Sequence, residues 1–175
     1  MSRKRQKQQS GWVLVFLFIM LFLAVAYVLF NRQEQSAPVP AGEDGLEVHF
    51  IDVGQADAAL VICDGHYMLI DGGNAEDSDL VYAYLERHGA SHLDYMVASH
   101  AHEDHIGGLS GALNYAKVDT ALCPVTEYSS KVFQNLVKYL EEQGKSLTVP
   151  EPGDRFELGS AQVEILGPVQ EYDDT

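Results

Sequence analysis

Three histidines and an aspartate fall within six positions in Ser99-His100-Ala101-His102-Glu103-Asp104-His105-Ile106-Gly107-Gly108. Imidazole nitrogens and carboxylate oxygens are donors that suit Zn²⁺, with Mn²⁺ as the alternative. If the chain leaves a strand extended here, His100 and His102 point to one side, about 7 Å apart, and converge on one ion. Asp104 and His105 are adjacent, so they face a common point only once the chain turns. Gly107 and Gly108 permit that bend and a close approach to the next helix. Two nitrogens, then an oxygen and a nitrogen, are a donor set for two neighbouring divalent ions. A chain of this composition produces the H-x-H-x-D-H pattern by chance about once in a thousand cases, so a His-rich surface loop is the weaker reading.

Such a motif needs a scaffold, and the flanking sequence supplies strands and helices in order. Leu46–Val53 and Ala58–Cys63 are runs of apolar and β-branched residues, and Asp64-Gly65 joins the second to His66–Ile70 as a two-residue hairpin. Asp71-Gly72-Gly73 closes that strand. Asp79–His88 has helical periodicity with Gly89 as its stop, and His92–Ser99 is the strand that leads into the motif. Beyond it come a short helix over Gly108–Ala116, a strand at Thr120–Cys123 and an amphipathic helix over Ser130–Gln143. Two further strands lie near Arg155–Leu158 and Gln162–Leu166. A hairpin sheet followed by alternating strands and helices predicts an α/β layered fold. Cys63 and Cys123 lack CxxC spacing and read as buried structural thiols.

Taken together, these stretches resemble the metallo-β-lactamase superfamily, whose hallmark is H-x-H-x-D-H after a strand. Phe50-Ile51-Asp52-Val53-Gly54-Gln55-Ala56-Asp57-Ala58 and Leu69-Ile70-Asp71-Gly72-Gly73 are similar to the metallo-hydrolase domain of ComEC-type competence proteins, which carry Gly where this chain has Ala56. The resemblance covers residue 46 to the end. It implies an αββα sandwich with a dinuclear site, His100 and His102 serving one metal and Asp104 and His105 the other. It also implies that Asp104 helps to orient the attacking water, and that Asp71 orients a metal-binding histidine. Asp52, Gln55 and Asp57 read equally well as site residues or as turn chemistry. His49, His66, His88 and His92 read as structural or surface residues. In the family a bridging Asp and a further His come from the second half of the sandwich, and no histidine follows His105. The 46–175 segment therefore reads as the first half of such a domain.

The remaining sequence concerns location. Residues 1–11 form a basic tip with Arg3, Lys4, Arg5 and Lys7, and 12–30 are nineteen uncharged, apolar residues. As a helix this run is about 28 Å long, which spans a bilayer. The positive-inside rule then places the tip in the cytoplasm and the rest of the chain outside, as a single-pass protein of the cell membrane. A cleaved signal peptide is the rival reading, because Ala24-Val25-Ala26 has the form of a cleavage site. Residues 31–45 are polar with Pro38, Pro40, Gly42 and Gly45, and read as a tether. Removing the four tip cations leaves seven basic against 26 acidic residues in 31–175, a formal charge of −19. That charge repels polyphosphate, so a nucleic-acid substrate is not argued from electrostatics, although bound divalent ions reverse the sign locally. The expected function is a membrane-anchored, extracytoplasmic metal-dependent hydrolase of phosphodiesters or nucleic acid, with the lipid bilayer as partner. The alternative is a non-catalytic anchored module with an incomplete metal site.

Overall fold

A computed structural model describes residues 18–27 and 45–167. The chain divides into two units, Met1–Ala37 and Pro38–Thr175. Of the first, residues 18–27 are helical (α1) and exposed throughout. The rest of the expected 12–30 span, the basic tip and nearly all of the 31–45 tether lie outside the described residues. Among the described residues no helix is long and apolar enough to cross a membrane.

The second unit is built on a six-stranded sheet in sequential order β1 to β6. Strands β1 (Leu46–Phe50), β2 (Ala59–Cys63) and β3 (His66–Ile70) form an antiparallel meander. Its second turn is Asp64-Gly65, both residues having positive φ (51° and 80°), as a two-residue hairpin with the right twist requires. From β3 onward the sheet is parallel. Strand β4 (His92–Val97) pairs Met68 with Tyr95, β5 (Lys117–Leu122) pairs Tyr95 with Thr120, and β6 (Leu147–Thr148) pairs Ala121 with Leu147. Each parallel step takes a crossover through helix, which is why α2 (Ser78–Arg87), α4 (Leu109–Tyr115) and α5 (Lys131–Glu142) intervene. The short helix α3 (Glu103–Ile106) lies inside the motif itself.

The amphipathic pattern of α5 has a clear start, Ser130, whose Oγ accepts the Phe133 N–H at 3.2 Å, and it buries Phe133, Leu136 and Leu140. These join Val81 and Leu85 of α2, Leu113 of α4 and the strand residues Leu60, Leu69, Leu93 and Met96 in the main core. Each such side chain contributes about 2 kcal/mol by leaving water. A hairpin of β7 (Arg155–Leu158) and β8 (Ala161–Glu164) covers part of the opposite face. There Leu158, Phe156 and Val163 pack on Val61, Met68, Tyr95 and Val97, with Phe156 stacked on Tyr95 at 4.1 Å. Val48 and Leu46, register partners of Val61 and Cys63 on that same face, stay exposed with Phe50. Cys63 and Cys123 are both buried and form no disulfide.

Strand boundaries differ from the apolar runs where pairing, not propensity, sets them. Strand β5 begins at Lys117, three residues before the apolar run at Thr120, because it pairs with β4 from His92 onward. The two-residue β6 and the 3₁₀ turn Ala75–Asp77 were too short to leave a periodic signal.

Candidate metal centre

The site forms where the parallel strands β3 and β4 end. Asp71 follows β3 and donates its N–H to the Val97 carbonyl at 2.8 Å, so it lies beside the last residue of β4. It adopts φ 55°, a left-handed conformation that Asp tolerates better than most residues. The next residues tie the motif down: Gly72 N–H donates to the His105 carbonyl at 2.7 Å, and Gly108 N–H to the Gly73 carbonyl at 3.1 Å. A methyl group on Gly108 would lie 1.9 Å from the Gly72 carbonyl oxygen. Gly108 therefore permits the close approach of two loops, not that of the following helix.

The extended geometry expected for His100 and His102 is not what forms. Strand β4 stops at Val97, residues 99–102 bend, and His102 caps the start of α3. The turn carries Asp104 and His105 back towards His100. The His100 ring lies 3.8 Å from that of His105 and 4.8 Å from that of His102, centroid to centroid. One donor atom from each of His100, Asp104 and His105 falls within 4.8 Å of the others. His102 stands at the side of this group, its ring 6.3 Å from that of Tyr128.

A hydrogen-bond chain beneath the histidines sets their tautomers. The buried Asp71 receives His105 Nδ1–H at Oδ2 (2.8 Å), Ser99 N–H at Oδ1 (2.8 Å) and the Ser99 hydroxyl at Oδ2 (2.6 Å). Since the one hydroxyl proton of Ser99 goes to Asp71, Ser99 Oγ accepts from His100 Nδ1–H at 3.0 Å. In their neutral form both imidazoles thus carry the proton on Nδ1, which leaves Nε2 for a ligand. Burial, followed by the nearby His105 and His102, holds His100 below the ordinary imidazole range, with Asp71 and Asp104 opposing. A neutral imidazole is the ligating form.

Nε2 of His105 faces outward, 3.8 Å from Asp104 Oδ2 and 3.8 Å from Asp57 Oδ2. Exposure rises from 5% at the Asp71 side chain through 15% at His105 to 46% at Asp104, so the donors line a path from core to solvent. Nitrogen and carboxylate donors, backed by a carboxylate–histidine pair, are a set that fits Zn²⁺ and accommodates Mn²⁺. Asp52 takes the other role considered for it: its Oδ1 accepts Gly54 N–H at 3.3 Å and holds its own turn. The other histidines lie outside the group. His66 pairs with Asp94 and His92 with Asp119, both at 2.8 Å, while His49 and His88 pack with Tyr84. Ser99 went unremarked in the sequence because a serine after a strand has no spacing signature; only the fold sets it on Asp71.

Comparison with known proteins assigns the family and the fold. Residues 51–171 match the family model of the metallo-beta-lactamase superfamily. ComE operon protein 3 of Bacillus subtilis (strain 168) is 24% identical over 140 residues, covering 70% of this chain and 18% of that protein. Among solved structures, the metallo-beta-lactamase SMB-1 bound to 2-mercaptoethanesulfonate superposes with a TM-score of 0.52 at 22% identity, over 74% of this chain and 54% of that one. MEM-A1, a subclass B3 metallo-beta-lactamase from a soil metagenome library, gives 0.50 at 19% identity, over 74% and 53%. The chain thus spans about half the length of these solved relatives. At these identities the superpositions speak for the fold alone, and the family match carries the assignment: this chain belongs to the metallo-β-lactamase superfamily.

Proposed function

We propose that this protein is a membrane-anchored, extracytoplasmic metal-dependent hydrolase that acts on phosphodiesters. The observation that carries the reading is the chain His100–Ser99–Asp71–His105, which commits both Nδ1 atoms while one donor atom each of His100, Asp104 and His105 gathers within 4.8 Å. His100, His102, Asp104 and His105 would hold divalent ions, Zn²⁺ first and Mn²⁺ as the alternative. A divalent ion so held supplies a Lewis acid and lowers the pKa of water. Around it the chain's own groups divide the work. Asp71 and Ser99 fix the imidazoles, and Asp104, at the open rim, orients the attacking water and accepts its hydrogen bond.

The phosphodiester class rests on the resemblance of the Phe50–Ala58 and Leu69–Gly73 stretches to ComEC-type competence proteins, and the likeness to ComE operon protein 3 supports it. The anchor rests on the uncharged 12–30 run behind four cations. The test is metal content together with chelator-sensitive cleavage of bis(p-nitrophenyl) phosphate by the purified chain. Uptake that falls in His100→Ala and His105→Ala but not in His92→Ala supports the reading. Uptake unchanged in all three would show the motif to be a solvated loop. In a chain lengthened by a second half that supplies an Asp and a His, metal uptake still without turnover would favour the alternative of a binding module.

A further inference from the structure

We propose that Asp57 is a further ligand, completing with Asp104 and His105 the ion position at the open side of the site. This assignment rests on the metal-binding reading above and extends it to a residue outside the H-x-H-x-D-H motif.

The 51–58 loop is not a loose rim. Ile51 N–H donates to the Ala58 carbonyl at 2.9 Å and closes the loop on itself. Asp57 is then fastened from both sides through its main chain. Its N–H donates to the Asp104 carbonyl at 3.3 Å, and its own carbonyl accepts Gly73 N–H at 2.9 Å. One residue thus touches the backbone of both segments that build the site, and its position follows theirs. The side chain takes no part in this fastening. It is 78% exposed and directs Oδ2 at His105 Nε2, 3.8 Å away.

The chemistry of that contact is informative. His105 Nδ1 is committed to Asp71, so Nε2 is the ring atom left for a ligand, and two carboxylates, Asp57 and Asp104, face it at the same distance. Two carboxylates gathered on one ring nitrogen call for positive charge between them, either a metal ion or a second proton on the ring, and the metal titration below separates the two. Two donors that share one ion with bonds of about 2.1 Å stand about 3.4 Å apart in a tetrahedral arrangement, so only a small contraction is needed. Asp52, five residues earlier in the same loop, spends its carboxylate on Gly54 N–H and makes a natural control.

The test is titration of the full 175-residue chain with Co²⁺ alone, read by the d–d absorption band and by competition with a chromophoric chelator. Asp57→Asn keeps the shape and every main-chain bond, so its metal-free melting curve should match the parent's. It is expected to weaken Co²⁺ binding about tenfold or more and to alter the band, while Asp52→Asn behaves as the parent. Asp57→Glu, which restores the charge in an exposed position, should recover part of the affinity. A parent that binds Co²⁺ and an Asp57→Asn chain that binds it identically would overturn the assignment alone. A parent that takes up no Co²⁺, or a His105→Ala chain that binds as well as the parent, would overturn the metal reading and the assignment with it.

Discussion

The hydroxyl of Ser99 lies 2.6 Å from Oδ2 of the buried Asp71, the same oxygen that receives His105 Nδ1–H at 2.8 Å. Through that hydroxyl, His100 is joined to the carboxylate that orients His105, although His100 itself makes no direct bond to Asp71 among those described. One buried charge therefore governs two imidazoles, one directly and one by relay. The main-chain N–H of Ser99, at 2.8 Å from Oδ1, completes the carboxylate's hydrogen bonding.

Ser99→Ala should leave the fold intact but free His100 to take either tautomer. Outer partners of this kind are worth about 10- to 100-fold in metal affinity, and the loss for Ser99→Ala is expected in that range. Ser99→Thr, which keeps the hydroxyl, should retain most of the affinity. Equilibrium dialysis against Zn²⁺ distinguishes them; equal affinity in the alanine variant and the parent would remove Ser99 from the site.

What the sequence disclosed about this site, and what it withheld, follows from the range of the forces involved. The hairpin at Asp64-Gly65, the α5 helix from its Ser130 cap and the burial of the two cysteines are local or compositional, and all three were legible. So was the role of Asp71 towards a histidine, through the family resemblance. The pairing of His100 with His105 was not legible, because it depends on α3 turning the chain immediately after His102. Four residues are too few to show periodicity. Ser99 lies 28 residues from Asp71, and only the register of β3 against β4 brings it there. Asp57 was open in the sequence as a site or turn residue, and the closed 51–58 loop sets its backbone against Asp104 and Gly73.

Gly108 offers a test of how tightly the two loops are bound together. Its α-carbon faces the Gly72 carbonyl so closely that a methyl group would sit 1.9 Å from the oxygen, against backbone that cannot rotate away. Gly108→Ala must separate the 72–75 loop from the motif and break Gly108 N–H to Gly73. The expected cost is about 2 kcal/mol or more, seen as a lower urea midpoint, with metal affinity falling alongside. An unchanged midpoint would mean that the loops part without penalty.

The proposed anchor makes a topological prediction. With four cations ahead of the apolar run and none inside it, the positive tip should stay in the cytoplasm and the metallo-β-lactamase unit should face outward. Protease added to intact cells should remove a C-terminal tag. Complete protection of the tag, with a known external protein digested in the same sample, would refute this orientation. Release of the tagged unit into the medium would instead support cleavage after Ala26.

The cluster on the other side of the sheet's first strand predicts a pH response separate from the metal site. His88 is buried, stacked on Tyr84 at 4.7 Å and edge-on to His49 at 4.7 Å, while His49 Nε2 pairs with Glu47 at 2.9 Å. Burial above all, then His49 and Arg87, hold the His88 imidazole below its ordinary range, with Glu47 opposing. In the unfolded chain the same group titrates near about 6.5. Between the folded and unfolded values the unfolded chain binds more protons, so stability rises with pH there. Its contribution is complete above the unfolded value and is lost as pH falls through the folded one. His66 has the opposite sign: Asp94 raises it, so its contribution is present below the unfolded value and fades as pH rises through the folded one. The comparison must therefore be between the parent and a single variant. His88→Phe keeps an aromatic ring against Tyr84 and removes the titration. Urea midpoints of parent and variant should converge, or reverse, as pH is lowered from 7.5 to 5.5. A difference between them that stays constant over that interval would show that His88 does not titrate on unfolding.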